Sequence, residues 1–433
     1  MNTFSASATV PVDTSLPQYS KAAPSRRVIF AAVLGNALEL FDFTVYSFFA
    51  VVIGKLFFPV AGEFSQLLLS FATFGIGFLA RPLGGAVLGI YADRAGRKAA
   101  MTLTILLMAL GTAIIGLAPT YAQIGLAAPL LIVIARLIQG FSAGAETGIA
   151  MTFLMESAPP EKRGYLLSWQ VASQGASALA GALCGVLLTH ALSPAALESW
   201  GWRVPFLLGL LIGPVGMYIR NNLAETHTEK RISNVGSERI RYDVRRIILG
   251  TLMMLSSTAT MYIMVYFLPS YLVRVAHMPA AMSLYSGCLA GLILAIGTPL
   301  CGKLADRLGK RKPILYVTGL FGMVAIFPVF ITILKTPELT TVLSGVALMV
   351  IVMALQGPAG SLILLEGFPR EMRVRSMAIM YSVSVSIFGG FSPFLVTWII
   401  KETNNPYAPA WYLFGCALIS LVGLILFEEK KVE

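Results

Sequence analysis

Charged side chains are scarce in this sequence. Asp, Glu, Lys and Arg make up 12% of the 433 residues, whereas 57% of the residues are hydrophobic. A soluble globule of this size needs more polar side chains than these to cover its surface. We therefore interpret the chain as a membrane protein that crosses the bilayer many times.

Several kinds of functional site are excluded by what is missing. The sequence has no glycine-rich P-loop that would bind a nucleotide. The three histidines are far apart, and the four cysteines lie within or at the edges of apolar runs, so neither set has metal-ligand spacing. We expect reduced cysteines, no metal site and no catalytic centre, and an ion gradient rather than ATP as the energy source.

Twelve apolar runs are long enough to form transmembrane helices of about 20 residues. The predicted fold is therefore an all-α integral membrane protein with twelve spans. The first 27 residues are polar and lack the apolar core of a signal peptide. Spans 1 to 12 are predicted at about 28–54, 64–90, 99–118, 129–155, 165–190, 203–221, 247–271, 282–304, 313–334, 341–365, 376–400 and 409–427.

Basic residues are concentrated on one side of this predicted topology. They recur before span 1 and in the loops after spans 2, 4, 6, 8 and 10. The opposite side holds only Lys55, Arg203, Arg274, Lys335 and Lys401. By the positive-inside rule, both termini face the cytoplasm. The net charge of +11 is not gathered in one arm, so we expect no nucleic-acid partner.

The chain contains an internal repeat. Gly89–Lys98 after span 2 matches Gly302–Arg311 after span 8, and Glu156–Arg163 after span 4 is similar to Glu366–Arg373 after span 10. In both cases the partners lie about half the chain apart, which predicts two six-span halves with the same orientation. The predicted divisions are a cytoplasmic tail at 1–27, a first half at 28–221, a cytoplasmic linker at 222–246, a second half at 247–427 and a cytoplasmic tail at 428–433.

Span 1 carries two carboxylates, Glu39 and Asp42, near the middle of an apolar helix. An ionised group there is unfavourable unless it is paired, protonated or hydrated. At about 100° per residue, Asn36, Glu39, Asp42 and Tyr46 lie within an arc of roughly 120° and form one polar stripe. Such a stripe either joins neighbouring helices or forms a proton and substrate site. We favour the second interpretation, with Glu39 and Asp42 as proton carriers and Asn36 and Tyr46 as substrate contacts.

Two arginines also lie inside predicted spans. Arg136 shares a face of span 4 with Gln139 and Glu146, and Arg81 lies in span 2. A guanidinium group gives bidentate hydrogen bonds to a carboxylate, so an arginine within a span favours an anionic ligand. Both arginines have a purely structural alternative, as does Glu146. We predict that Arg81, Arg136 and Gln139 bind substrate and that Glu146 takes part in proton coupling.

Further hydrogen-bonding groups lie in other spans, although polar side chains often only join helices. No acidic residue falls within a predicted span of the second half, so we assign proton coupling to the first half. Substrate carboxylate and the proton-carrying group would then compete for Arg136. The additional predicted substrate residues are Gln170 and Gln174 in span 5, Tyr262 and Tyr266 in span 7 and Tyr381 in span 11.

The repeated loops resemble the signature of the major facilitator superfamily, which has a Gly-x-x-x-Asp-Arg-x-Gly-Arg-Arg loop after helices 2 and 8. Within it, Gly35–Phe43, Ala80–Gly85, Arg136–Gly144 and Gly201–Phe206 are similar to the metabolite:proton symporters, which take up organic acids, shikimate and betaine-like solutes. The chain length and compact C-terminus resemble most the citrate and tricarballylate carriers of enteric bacteria. The chain differs from many members of this family at Leu40, the position after Glu39, where they have Trp or Tyr.

The resemblance implies that the two loops latch the halves together in the outward-facing state. We assign this gating role to Asp93, Arg94, Arg97, Asp306 and Arg307. The alternative for the basic members is that they act only as topology charges.

The resemblance implies a secondary active transporter that carries a di- or tricarboxylate, citrate or tricarballylate in particular, into the cell with protons by alternating access. No cofactor is expected, and the coupled ion is H⁺, with Na⁺ as the alternative. We expect a monomer in the lipid bilayer of a bacterial inner membrane. The alternatives are a proton symporter for another small organic acid or a zwitterion such as betaine, and a transporter-like receptor that senses solute without moving it.

Overall fold

The computed structural model is a bundle of α-helices without strands across the residues it describes, which are 26–60, 62–95, 97–144, 151, 154–155, 158–210, 244–309 and 311–429. Helices occur at all twelve predicted spans and are numbered accordingly. They are α1 (Arg26–Phe48, continued by Ala50–Phe57), α2 (Glu63–Ala95), α3 (Arg97–Leu117), α4 (Ala127–Ala143), α5 (Arg163–Ala191), α6 (described at 204–210), α7 (Val244–Arg274), α8 (Ala280–Leu308), α9 (Lys312–Lys335), α10 (Leu339–Glu366), α11 (Met372–Thr403) and α12 (Ala408–Leu426).

The lengths of most of these helices suit a bilayer. Within the described ranges, eight of them are long and apolar enough to cross a membrane, and the bent α1 makes a ninth. The apolar parts of α3 and α4 are shorter, at Thr102–Leu117 and Ala127–Ala143. The all-helical, multi-span fold expected from the sequence is confirmed.

The first span differs from the uninterrupted helix predicted at 28–54. Its two parts meet at Phe49 with a bend of 66°. No glycine or proline lies at the bend, so it is not encoded by the local sequence. Phe48 and Phe49 are both buried, and a Cβ on Gly287 of α8 would lie 2.9 Å from the Phe48 ring. Packing of these rings against neighbouring helices therefore decides the path of the chain.

Glycines bring several helices into close contact. A Cβ added to Gly140 of α4 would overlap the carbonyl group of Gly77 in α2, and one added to Gly144 would overlap that of Arg81. Between the halves, a Cβ on Gly175 of α5 would lie 2.5 Å from the backbone nitrogen of Ala295 in α8. Small residues at such crossings allow the backbones to approach, which supplies packing energy where no hydrophobic effect operates between helices.

Three helices of the second half contain wider π-helical turns, at Met261–Phe267 in α7, Ile293–Gly297 in α8 and Ser384–Gly390 in α11. A π turn inserts an extra residue into the helical repeat and so turns the following side chains to another face. The turns in α7 and α11 lie beside the cavity described below. They therefore influence which side chains of these helices point into it.

The two ends of the bundle are distinguished by their contacts. The motif side, named here for the repeated loops, carries Asp306 at the end of α8, which accepts hydrogen bonds from the backbone N–H groups of Gly164 (2.7 Å) and Tyr165 (2.8 Å) in α5. Glu366 at the end of α10 pairs there with Arg311 and, at 3.5 Å, with Arg163. At the opposite side, Arg274 of α7 pairs with Glu63 of α2.

Candidate functional site

Asp42 lies at the centre of a buried polar cluster formed by α1, α3 and α4. Its exposed fraction is 4%. The Thr112 hydroxyl of α3 donates a hydrogen bond to Asp42 Oδ2, and Gln139 Nε2 of α4 lies 3.4 Å from the same oxygen. Gln139 Nε2 also donates to Thr112 Oγ1 at 3.0 Å. Side chains from two helices, α3 and α4, therefore contact the same carboxylate oxygen of Asp42.

The other oxygen of Asp42 is differently placed. Within the described residues, Oδ1 has no hydrogen-bond partner. It faces α6, where a Cβ added to Gly209 would lie only 2.6 Å away. Glycine at this position therefore leaves the space that the carboxyl group occupies.

Arg136 is connected to this cluster without contacting the Asp42 carboxylate. Its Nη1 donates to Gln139 Oε1 at 2.9 Å, and its Nη2 donates to the Asp42 backbone carbonyl at 3.4 Å. The guanidinium carbon lies 3.8 Å from the centre of the Tyr46 ring and 5.2 Å from that of Phe43. Arg136 is therefore connected to the Asp42 carboxylate through Gln139 and Thr112 rather than by a direct ion pair.

Arg81 is enclosed by aromatic rings. Its guanidinium carbon lies 4.3 Å from the centre of the Phe78 ring and 5.0 Å from that of Phe43. Its exposed fraction is 3%, and its Nε and Nη2 have no hydrogen-bond partner within the described ranges. Phe78 in turn packs edge-on against Tyr262, with ring centres 5.4 Å apart. Arg81 thus lies one ring away from Tyr262.

The predicted polar stripe of α1 is divided between neighbours. Asn36 faces α5, where it donates to Ser173 Oγ at 2.6 Å and accepts from Gln170 Nε2 at 2.9 Å. Tyr46 faces α2 and donates to the Ser70 carbonyl at 3.2 Å. Glu39 is buried one turn before Asp42. The residues of the stripe therefore contact different neighbouring helices and do not converge on one common site.

A cavity of about 140 Å³ lies between α5 and helices of the second half. At about 30 Å³ for each water molecule, this volume corresponds to roughly five waters. Four of the predicted substrate residues line it: Gln170, Gln174, Tyr262 and Tyr381. Gln174 Nε2 and the Tyr381 hydroxyl are 3.4 Å apart and connect the two halves across it.

The lining of the cavity carries no charged residue among the described positions. Its other polar groups are hydroxyls and one amide, and its apolar groups include six methionines, whose flexible side chains adapt to ligands of different shape. These residues were not assigned as substrate contacts from the sequence, because single polar residues in apolar helices more often only join helices. They are Ser256, Ser257, Thr258, Ser361, Ser420 and Gln356, and Met151, Met253, Met254, Met261, Met323 and Met353.

Several predicted substrate residues do not reach this cavity. Arg136, Gln139 and Tyr46 are buried within the first half, and Arg81 lies behind Phe78. Tyr266 is buried against Tyr262 with ring centres 5.3 Å apart. Asn36 contacts the cavity residue Gln170 without lining the cavity itself. The structure therefore separates the buried charges from the cavity.

The predicted gating residues differ in their contacts. Asp306 bridges the two halves through Gly164 and Tyr165, as described above, whereas Arg94 and Arg307 are exposed. Glu146 and the side chains of Asp93 and Arg97 lie outside the described residues. The clearest inter-half contact of the motif side was thus predictable in part, through Asp306. Glu366, which pairs with arginines from both halves, was not predicted as a gate.

The family model and the relatives that match this chain all describe membrane transporters. The family model described as Major Facilitator Superfamily matches residues 32–393 and 289–432. The citrate-proton symporter of Salmonella typhi is 36% identical over 408 residues, covering 92% of this chain and 94% of that protein, and its Klebsiella pneumoniae counterpart is 34% identical, covering 93% and 92%. A putative proline/betaine transporter of Staphylococcus haemolyticus is 36% identical over 421 residues, covering 94% and 88%.

The fold is also similar to that of solved structures. A crystal structure of a D-xylose-proton symporter superposes with a TM-score of 0.76, covering 93% of this chain and 98% of that one, at 18% identity. At such low identity the similarity concerns the fold alone.

Proposed function

This chain belongs to the Major Facilitator Superfamily, and from that premise we propose that it carries a small carboxylate-bearing solute inward together with a proton. It is a transporter rather than an enzyme, a multi-pass protein of the bacterial inner membrane. The first candidate for the solute is citrate or tricarballylate. Both termini are proposed to be cytoplasmic, and the protein to work as a monomer.

The observation that carries this proposal is the cluster around Asp42. A carboxyl group in such dry surroundings readily exists in its neutral form, which is the requirement for a proton carrier inside a membrane. Arg136, which is linked to Asp42 by three hydrogen bonds through Gln139 and Thr112, stabilises the ionised form when the proton leaves. Asp42 is therefore proposed as the principal proton site, with Glu39 as the second candidate.

Alternating access is proposed to link this site to the cavity. The two halves, 28–221 and 247–427, would rock about the contact between α5 and α8, with the linker at 222–246 joining them. Gln170 and Gln174 belong to the first half, whereas Tyr262 and Tyr381 belong to the second, so a solute in the cavity would contact both. Gln170 also bonds Asn36 on α1, the helix that carries Asp42. Solute binding and proton binding would thus act on the same helix.

The choice of citrate or tricarballylate is supported by two relatives that bear the name citrate-proton symporter at 34% and 36% identity. Amide and hydroxyl groups in the cavity are suitable donors to carboxylates. Arg81 provides a buried positive charge one ring behind Tyr262.

A specific observation favours a second candidate, which is a zwitterion such as betaine or proline. The described cavity lining has no charged residue, so a solute without net charge is accommodated with less desolvation penalty than a trianion. A relative of 36% identity carries the name of a putative proline/betaine transporter.

The experiment that tests the proposal is uptake into proteoliposomes under an imposed pH gradient. Labelled citrate should accumulate, and unlabelled tricarballylate should compete better than betaine or proline. Asp42→Asn should abolish accumulation while retaining exchange of internal for external citrate, and Glu39→Gln, which tests the second candidate, should leave accumulation in place. Betaine accumulation without citrate uptake would replace the first solute candidate by the second.

Two further outcomes decide the mechanism. Accumulation that persists in both variants would refute the assignment of proton coupling to α1. Absence of both uptake and counterflow for every solute, with specific binding retained, would indicate a receptor instead. Replacing the pH gradient by a sodium gradient distinguishes H⁺ from Na⁺ as the coupled ion.

A further inference from the structure

The Thr112 hydroxyl lies between three groups that differ in hydrogen-bonding character. Gln139 Nε2, at 3.0 Å, can only donate to it, and the carbonyl of Met108, at 2.9 Å, can only accept. The third group, Asp42 Oδ2, accepts when the carboxyl group is ionised and donates when that oxygen is protonated. Thr112 is therefore the point at which a change of protonation alters the direction of a hydrogen bond.

A hydroxyl has one proton and two lone pairs, and these numbers match both states of Asp42. With Asp42 ionised, Thr112 donates to Oδ2 and accepts from Gln139. With Oδ2 protonated, Asp42 donates to Thr112, which still accepts from Gln139 and turns its own proton to Met108. In both states each of these polar groups is satisfied, and only the Thr112 proton rotates.

We propose that Thr112 is the positioning residue that allows Asp42 to gain and lose its proton inside the membrane. The inference rests on the proposed function, in which Asp42 carries the proton. It adds that the hydrogen bonds around Asp42 adapt to either protonation state by rotation of one hydroxyl, while the proton itself passes to or from water when alternating access opens the site. Because Asp42 Oδ1 has no partner in the described part of the chain, Thr112 and Gln139 supply the hydrogen bonds to the carboxyl group.

A substitution at Thr112 leaves the charged and titratable groups around Asp42 in place, among them Glu39 one turn away on α1. From α4, Arg136 contributes its positive charge, and Tyr46 of α1 lies against the same guanidinium group. The described part of α6 contributes Gly209, which has no titratable group. A substitution at Thr112 therefore changes the hydrogen bonding of Asp42 against a fixed electrostatic background.

The test compares Thr112→Val, which removes the hydroxyl at nearly constant volume, with Thr112→Ser, which keeps it. Infrared difference spectra of purified protein, recorded against pH, follow the carboxylic-acid C=O band, and its loss in Asp42→Asn assigns the band to Asp42. The control is Thr397→Val, a buried threonine of α11 whose hydroxyl donates to Pro393 O at 2.6 Å.

In Thr112→Val we expect the midpoint of this band to move to higher pH by about one unit, a tenfold change in the protonation ratio. The ionised form loses a charge-assisted hydrogen bond, which is about twice as strong as the neutral bond that the protonated form loses. Thr112→Ser and Thr397→Val should retain the wild-type midpoint. If Thr112→Val does not fold, Thr112→Ala is measured in its place.

The outcomes separate the two levels of the proposal. A titrating band that persists in Asp42→Asn refutes Asp42 as the proton site and with it the role of Thr112, and leaves Glu39 as the proton candidate of the proposed function. A band that is lost in Asp42→Asn but titrates unchanged in Thr112→Val refutes the role of Thr112 alone. The role of Thr112 is also refuted if Thr112→Ser moves the midpoint as far as Thr112→Val does.

Discussion

Removing the carboxylate of Asp306 should open the motif side of the bundle. Its two oxygens accept the N–H groups of Gly164 and Tyr165 at 2.7 and 2.8 Å, so one side chain at the end of α8 holds the first turn of α5. The contact also places a negative charge at a helix N-terminus, where the backbone dipoles stabilise it. Asp306→Ala removes both bonds, and Asp306→Asn keeps one acceptor oxygen without the charge.

The size of the effect follows from these contacts. A hydrogen bond to a charged group contributes about 1.5 to 3 kcal/mol. Asp306 is half-buried, so water forms hydrogen bonds to the carboxylate when the motif side opens and offsets part of the lost energy. We therefore take about 2 kcal/mol for the two bonds together. Glu366 continues to join Arg163 and Arg311 in the variant. About 2 kcal/mol changes the ratio of open to closed molecules by roughly thirtyfold.

The assay measures access to the cavity from the motif side. Ser361 lines the cavity one to two turns before the end of α10, and Ser361→Cys is introduced after the four native cysteines have been replaced. The rate of maleimide labelling in nanodiscs should increase by ten- to thirtyfold in Asp306→Ala and by less in Asp306→Asn. Arg307→Ala is the control, because Arg307 is adjacent and exposed.

Equal labelling rates in Asp306→Ala and the parent protein, with both folded, would show that these bonds do not hold the motif side closed. An equally large increase in Arg307→Ala would show that the loop acts through its net charge rather than through the α5 contact.

Three further predictions concern other parts of the molecule. Gly140→Ala should destabilise the protein by about 1 to 3 kcal/mol, seen as a lower unfolding temperature, because its Cβ would overlap the Gly77 carbonyl. Gln174→Leu should raise the KM for the transported solute three- to tenfold with a smaller effect on maximal rate, since it removes about one hydrogen bond across the cavity. Glu63→Gln should change the rate at which the side opposite the motif side is labelled by fivefold at most, because Glu63 is 73% exposed in its pair with Arg274. The effect should disappear at high salt, which screens an exposed ion pair.

Asp42 and Arg136 could be recognised from the sequence because ionisable residues within apolar spans are rare and unfavourable there. Gln139 was identified because it lies one turn from Arg136 on the same face of the helix. Their mutual arrangement was not predictable in the same way. Side-chain spacing specifies the face of a helix, but it does not specify the neighbour against which that face packs.

Arg136 illustrates this limit. Its charge predicted an anionic ligand, but in the structure its guanidinium group stacks on Tyr46 and bonds Gln139 within the first half. The cavity lies elsewhere, beside helices of the second half whose described lining residues carry hydroxyl and amide groups but no charge. Its position depends on how the two halves pack.

Thr112 was not predicted because a threonine in an apolar helix ordinarily donates to the carbonyl one turn before it, and the carbonyl of Met108 does lie 2.9 Å from the Thr112 hydroxyl. Nothing in the neighbouring residues indicates that the same hydroxyl contacts a carboxylate seventy residues away in the chain.

The sequence by itself determined the membrane class, the number and places of the helices, the two-part repeat and the buried charges, because each follows from local composition and period. The tertiary structure decided that Asp42 is held by Thr112 and Gln139, that Arg136 is withheld from the cavity, and that Asp306 joins α8 to α5. These contacts depend on the close approach of helices far apart in sequence, which is set by the packing of the whole bundle.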